Sequence, residues 1–198
     1  MHPVGSGCKT VGVMIRFSGN SRSDRRTPIL FLDLEGGYGG SSRSLYYLVA
    51  NLDRERFEPV VVVRKPGPIL DRYRAIRVTT CVMERIPSFR PGQRKRPLSF
   101  GLFVFQWVLF QNQIKKLKTL VADCGVAMMH VNHESLGLTG YLLARSFRIP
   151  WVCHIRTQLV QSVFGRCVYR VINRHANRIV FITDQNLTHF AAIVGKTF

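Results

Sequence analysis

The chain has 198 residues, 46% of them hydrophobic, and carries 29 lysines and arginines against 11 acidic residues, a net charge of +18. That apolar content excludes a disordered composition and suffices for one domain with a buried core. The charge excludes an acidic surface and draws the chain toward polyanions: nucleic acid, phosphorylated substrates or anionic lipid. Residues 1–27 hold only "VGVMI" as an apolar centre, shorter than the roughly 7–15 residues of a signal peptide. They read as a flexible basic extension ahead of a domain at 28–198. "ILFLDLE" (29–35) predicts a buried strand, closed by "GGYGGSSRSL". Leu45, Leu48, Val49 and Leu52 then mark one helix face. "PVVVVRK" (59–65) is a strand, a short helix covers 69–74, and "IRVTTCVM" (76–83) is a third strand.

Residues 84–99 hold three prolines and read as a loop. Phe103, Trp107, Phe110, Ile114, Leu117 and Val121 predict a single long helix from about 100 to 122. "VAMMHVNH" (126–133), "IPWVCHIRT" (149–157) and "RIVFITD" (178–184) are three more strands. Helices at 138–147 and 160–175 separate them, and a last helix begins at Gln185, with Thr183 and Asp184 as its cap. No apolar run reaches the roughly 20 residues of a membrane-spanning helix. The five cysteines show no metal-ligand spacing and read as reduced core thiols of a reducing compartment.

Six apolar strands alternating with helices predict an α/β fold, a doubly wound, mainly parallel Rossmann-like sheet. Such sheets bind ligands outside the carboxyl ends of their strands. Four polar clusters fall there: the glycine loop, "HVNHES", "HIRTQ" and "TDQN". A glycine-rich turn entering a helix presents N–H groups to an anion, and Gly36, Gly37, Gly39 and Gly40 exceed what a tight turn needs. The dinucleotide pattern G-x-G-x-x-G fits at Gly37 and Gly39 but meets Ser42 in its third place. Arg64 and Lys65 stand where an acid is expected, so an NADP-binding domain is an alternative. "GKT" at 195–197 lacks the upstream glycine of a Walker loop.

Strand–"GGYGGSSRSL"–helix resembles the "GG-(A/S)-x-x" opening of the family-four retaining glycosyltransferases, which have the GT-B fold. "MMHVNHES", "IPWVCHIRT" and "RIVFITDQN" resemble, in order, that family's H-x-(H/N), P-h-h-x-x-H and h-h-x-(S/T)-(D/E) strands, where h is apolar. The resemblance spans about 29–198. It implies the N-terminal, acceptor-side half of a two-domain enzyme that moves a sugar from a nucleoside diphosphate to an acceptor hydroxyl. It further implies His154 beside the reacting sugar, and Gly39, Gly40 and Ser41 against the donor diphosphate. His130 and Asn132 are expected to line the cleft, and His133, Glu134 and Arg156 to meet the acceptor. No metal or resident cofactor is implied, the nucleotide-sugar being substrate.

The family's C-terminal donor domain has no counterpart here. The chain is therefore expected to be half an enzyme, inactive alone, a truncated reading frame, or a subunit whose partner supplies the rest; a non-catalytic binding module or non-functional fragment docking to a partner or membrane is the alternative. A second apolar stripe, Leu102, Phe105 and Leu109, lies beside Arg85, Arg90, Arg94, Lys95, Arg96, Lys115, Lys116 and Lys118. It suggests a peripheral contact with an anionic membrane on the cytoplasmic side and a glycan or lipid-linked acceptor. No nucleic-acid recognition motif appears.

Overall fold

A computed structural model describes residues 26–89, 98–157 and 163–195. Residues 1–25 of the expected extension and residues 90–97 of the basic loop lie outside the described residues. The described elements run β1 (Thr27–Asp33), α1 (Gly40–Ala50), β2 (Phe57–Val63), α2 (Ile69–Ala75), β3 (Thr79–Val82), α3 (Leu98–Leu109), α4 (Gln111–Asp123) and β4 (Met128–Val131). A 3-10 turn (Glu134–Leu136) and then α5 (Gly137–Phe147), β5 (Trp151–Ile155), α6 (Val163–His175), β6 (Arg178–Phe181) and α7 (Asp184–Val194) complete them.

The six strands form one sheet in the order β3-β2-β1-β4-β5-β6, and every pairing is parallel. The winding reverses between β1 and β4, which opens a crevice at their carboxyl ends. β1 begins at Thr27, the last residue of the expected extension: Thr27 N donates to Arg56 O at 2.8 Å, and the preceding Arg26 pairs with Glu58 at 2.9 Å.

Alternation along the strands separates two cores. Ile29, Phe31, Val61 and Val63 face α1 and α2 through Leu45, Val49, Ile69 and Tyr73. Leu30, Leu32, Val60, Met129, Val131, Trp151, Cys153 and Ile155 face the opposite layer, where Leu117, Val121, Leu143, Tyr169, Ile172 and Phe190 cover them. The helices after the reversal all add to that second layer. Over β5 and β6 the first face therefore carries no helix among the described residues: Val152 and His154 are partly exposed, Val180 exposed, and Ile182 just beyond β6 is 51% exposed.

The single helix expected from 100 to 122 is two. Phe110 leaves helical geometry (φ −102, ψ 26), and the Gln111 side-chain amide donates to the Trp107 carbonyl at 2.5 Å. That carbonyl would bond the Gln111 N–H in an unbroken helix. Phe103 is buried and Trp107 half-buried, whereas Val104, Phe105, Val108 and Leu109 are exposed along one side of α3. Among the described residues no helix is long and apolar enough to cross a membrane. Cys124 and Cys153 are core thiols as expected, but Cys167 is exposed on α6. Thr183 caps α7, its Oγ1 accepting from Asn186 N at 3.1 Å.

Candidate functional site at the sheet reversal

The glycine loop divides into two functions. A Cβ on Gly36 would stand 2.0 Å from Lys65 O, and one on Gly67 would stand 2.2 Å from Gly36 O. The loops after β1 and β2 thus touch backbone to backbone, joined by Ile69 N donating to Gly36 O at 3.2 Å. Gly37, Gly39 and Gly40 meet nothing within 4 Å. None of the four lies at positive φ, so turn geometry does not explain them. Gly36 is required by packing; the other three leave open backbone at the start of α1. Gly39 caps that helix with no side-chain bond, and its first turn has no acidic residue. An unneutralised helix N-terminus of this kind favours an anion.

A polar network ties this helix start to the ends of β1, β4 and β5. Asp33 ends β1, 1% exposed, and its Oδ1 accepts from Leu34 N at 2.8 Å and Asn132 Nδ2 at 2.9 Å. The same Nδ2 donates to Ser41 O at 3.3 Å. Asn132 Oδ1 accepts from Arg156 Nη2 at 2.6 Å, and Asn132 O from Arg156 Nε at 2.8 Å. Carboxylate and carbonyl on one side and guanidinium on the other leave the amide only one orientation. Arg156 also reaches His154 Nδ1 at 2.7 Å and Ser44 Oγ, in the first turns of α1, at 3.5 Å. His154 and His130 meet edge to face with centroids 4.6 Å apart.

Burial sets the charges. It raises the Asp33 carboxyl above its ordinary value, opposed by the bonds from Asn132, Ser42 and Leu34 and by the Arg156 charge. Burial, with help from His154 and Arg156, lowers His130 to about 3. Burial first and Arg156 second lower His154 to about 4. Both rings are therefore neutral at physiological pH, and the guanidinium is the cation at this edge.

Of the expected site residues, the fold brings Gly39, Gly40, Ser41, Asn132, His154 and Arg156 together, with His130 behind His154. Asn132 is wholly enclosed, so it organises the cleft wall and does not itself line the cleft. Glu134 is also wholly enclosed, in the 3-10 turn. Its Oε2 accepts from Arg156 N at 3.0 Å and its Oε1 from Thr157 Oγ1. This carboxylate anchors the end of β5; it has no surface left for an acceptor. His133 caps the same turn through Nδ1, which accepts from Ser135 N at 3.1 Å. That nitrogen lies 3.6 Å from Glu134 Oε2, but with its lone pair engaged it forms no ion pair there. Asp33, Ser44 and Thr157 were not anticipated. The signal for Asp33 was present: an acid within an otherwise apolar strand, directly before the glycines.

A 3-2-1-4-5-6 parallel sheet with an open glycine loop and an arginine- and histidine-bearing edge at the reversal defines a Rossmann-like α/β domain with its polar cluster at the switch point. Residues 39–196 match the glycosyl transferase 4-like domain, and the chain belongs to that family. No curated protein matches it significantly. Among solved structures it is similar to Anabaena Alr3699/HepE in complex with UDP (19% identity, TM-score 0.60, 86% of this chain and 42% of that one). It is also similar to a glycosyltransferase from Rickettsia africae (11%, 0.61, 87% and 41%). A third similar structure is apo WaaB, a lipopolysaccharide outer core galactosyltransferase (11%, 0.55, 84% and 42%). The fold is thus the N-terminal half of GT-B glycosyltransferases, and the chain spans about two fifths of these proteins' length.

Proposed function

We propose that this chain is the acceptor-side half of a glycosyltransferase that moves a sugar from a nucleoside diphosphate to an acceptor hydroxyl. The observation that carries the reading is the convergence of open glycine backbone, His154 and Arg156 on one strand edge. The open N–H groups at Gly39, Gly40 and Ser41 suit the donor diphosphate, whose leaving charge such preorganised dipoles stabilise. In this reading His154 and Arg156 act in the space beside it, and His133 is assigned to the acceptor. HepE structures hold UDP and UDP-glucose, which supports a nucleotide-sugar donor. No resident cofactor is needed. Residues 1–198 tested by themselves, spanning about two fifths of the similar solved proteins' length, are expected to bind donor weakly and not to turn it over, because orientation supplies much of the rate.

The test is an amide-shift titration of the chain with a panel of nucleoside diphosphate sugars. Shifts centred on Gly37–Ser42, lost in Gly39→Val with the fold retained, are the expected result; no shift there at millimolar ligand refutes it.

Val104, Phe105, Val108 and Leu109 are exposed on α3, Lys115 and Lys116 are exposed on α4, and the guanidinium of exposed Arg85 lies 6.0 Å from the Phe110 ring centroid between the two helices. Exposed apolar side chains with cations on the flanking segments suit the cytoplasmic face of an anionic membrane, and with it a lipid-linked or envelope glycan acceptor. Vesicle sedimentation should then require anionic lipid, weaken with salt, and fall at least tenfold in Phe105→Ser/Leu109→Ser. Equal binding to neutral vesicles refutes this part.

A further inference from the structure

The 2.7 Å contact between Arg156 Nη2 and His154 Nδ1 has only one chemical solution. A guanidinium has donors and no acceptor. His154 Nδ1 must therefore hold a lone pair, and in a neutral ring the proton then sits on Nε2. Of the three groups near Nη2, Asn132 Oδ1 and His154 Nδ1 at 2.6 and 2.7 Å take its two hydrogens, and Ser44 Oγ at 3.5 Å is left a marginal contact. The guanidinium cannot swing away cheaply. Its Nε is held by Asn132 O, its backbone N by Glu134, and Asn132 is fixed in turn by Asp33 and Ser41.

We propose that Arg156 is a positioning residue that holds His154 as its neutral Nε2–H tautomer, so that this strand end offers a hydrogen-bond donor and not a proton acceptor. Among the described residues nothing bonds His154 Nε2, and the side chain is partly exposed on the uncovered sheet face. The group that Nε2 meets in a ligand must then be an acceptor: a hydroxyl, carbonyl or phosphate oxygen. A ligand ammonium is rejected there. A role for His154 as the base that removes a proton from an acceptor hydroxyl is excluded, since its one free nitrogen already carries hydrogen. The titratable ring that faces it agrees: His130, edge-on from β4, is held neutral chiefly by burial. The consequence for ligand chemistry rests on the crevice being the binding site; the tautomer does not.

The experiment is a long-range proton–nitrogen correlation spectrum of the 198-residue chain, labelled at histidine nitrogens, with no nucleotide sugar present. His154 is assigned by the signal lost in His154→Gln. The expected result at pH 7 is the Nε2–H pattern alone, unchanged on acidification until close to pH 4. Arg156→Lys, which still donates and cannot accept, keeps it; Arg156→Met, which does neither, yields a mixture of tautomers and a midpoint shifted upward. An Nδ1–H or doubly protonated ring in the wild type at pH 7 overturns the proposal without any variant, and so does an unmixed Nε2–H pattern in Arg156→Met. Should Arg156→Met not fold, the wild-type spectrum decides. A correct tautomer in a chain that binds no nucleotide sugar would refute the function proposed above and leave this inference standing.

Discussion

Gly36→Ala separates packing from ligand access. The added Cβ would lie 2.0 Å from Lys65 O, 2.7 Å from Pro66 C and 2.8 Å from Gly67 N, all backbone atoms of the loop after β2. Ordinary contact begins near 3.4 Å, so the two loops must part by more than an ångström. Overpacking of this kind costs about 1–3 kcal/mol. Parting the loops also loosens the Ile69 N to Gly36 O bond, worth about 1 kcal/mol. The expected loss is about 2–4 kcal/mol. With a urea slope of about 2 kcal/mol per molar, the unfolding midpoint falls by about 1–2 M at unchanged slope. Gly39→Ala, with nothing within 4 Å of its Cβ, loses only a preferred helix-cap residue, about 1 kcal/mol or less. The assay is urea unfolding followed by circular dichroism for both variants. A Gly36→Ala midpoint equal to wild type, or a Gly39→Ala loss as large as that of Gly36→Ala, would refute the division of the loop.

Two pH dependences follow from the same edge. His130 is lowered to about 3 in the fold from an ordinary 6.5, so the unfolded chain binds its proton first. Its contribution to stability is whole above pH 6.5 and is lost as pH falls, by about 1.4 kcal/mol per pH unit toward pH 4. His130→Phe should flatten that limb of a stability–pH curve; a slope unchanged in the variant contradicts the assignment. Asp33 has the opposite sign. Its folded value is raised, so the folded chain holds the proton longer and stability falls as pH rises from the ordinary carboxylate range through the raised value. Asp33→Asn, which removes this charge, should gain stability relative to wild type between pH 4 and pH 7. A difference between the two curves that is flat across this range would sink the argument.

The parallel sheet and its strand sequence were legible because buried strands are apolar on both faces and the helices between them keep a 3.6-residue period. The break at Phe110 was not. Phe110 fits the stripe, and the Gln111 side chain that takes the Trp107 carbonyl leaves no mark in periodicity. The glycine loop was legible as an exception to turn chemistry. Telling Gly36 from Gly39 required Gly67, a partner set by tertiary approach. Glu134 read as an acceptor contact because it follows the strand end among polar neighbours. The 3-10 turn tucks it beneath β5, where two hydrogen bonds to Arg156 and Thr157 offset its burial. Strand alternation put His130 with Asn132, and His154 with Arg156, on a shared side within each strand; that the two pairs meet depends on the β4–β5 register, His130 opposite Val152 and Val131 opposite Cys153, which periodicity does not carry.

The pairing of β1 with β4 joins Ile29 to Met128, and the Asp33–Asn132 bond spans 99 residues. During synthesis at about 5–20 residues per second, the most central strand therefore waits some seconds with one edge open. Over that interval β1, β2 and β3 can form only a half-sheet, with the Asp33 carboxylate still lacking its amide partner. The ribosome must deliver the reversal point before the binding edge exists, so nascent chains that stop short of Asn132 carry the glycine loop but not the network that holds it.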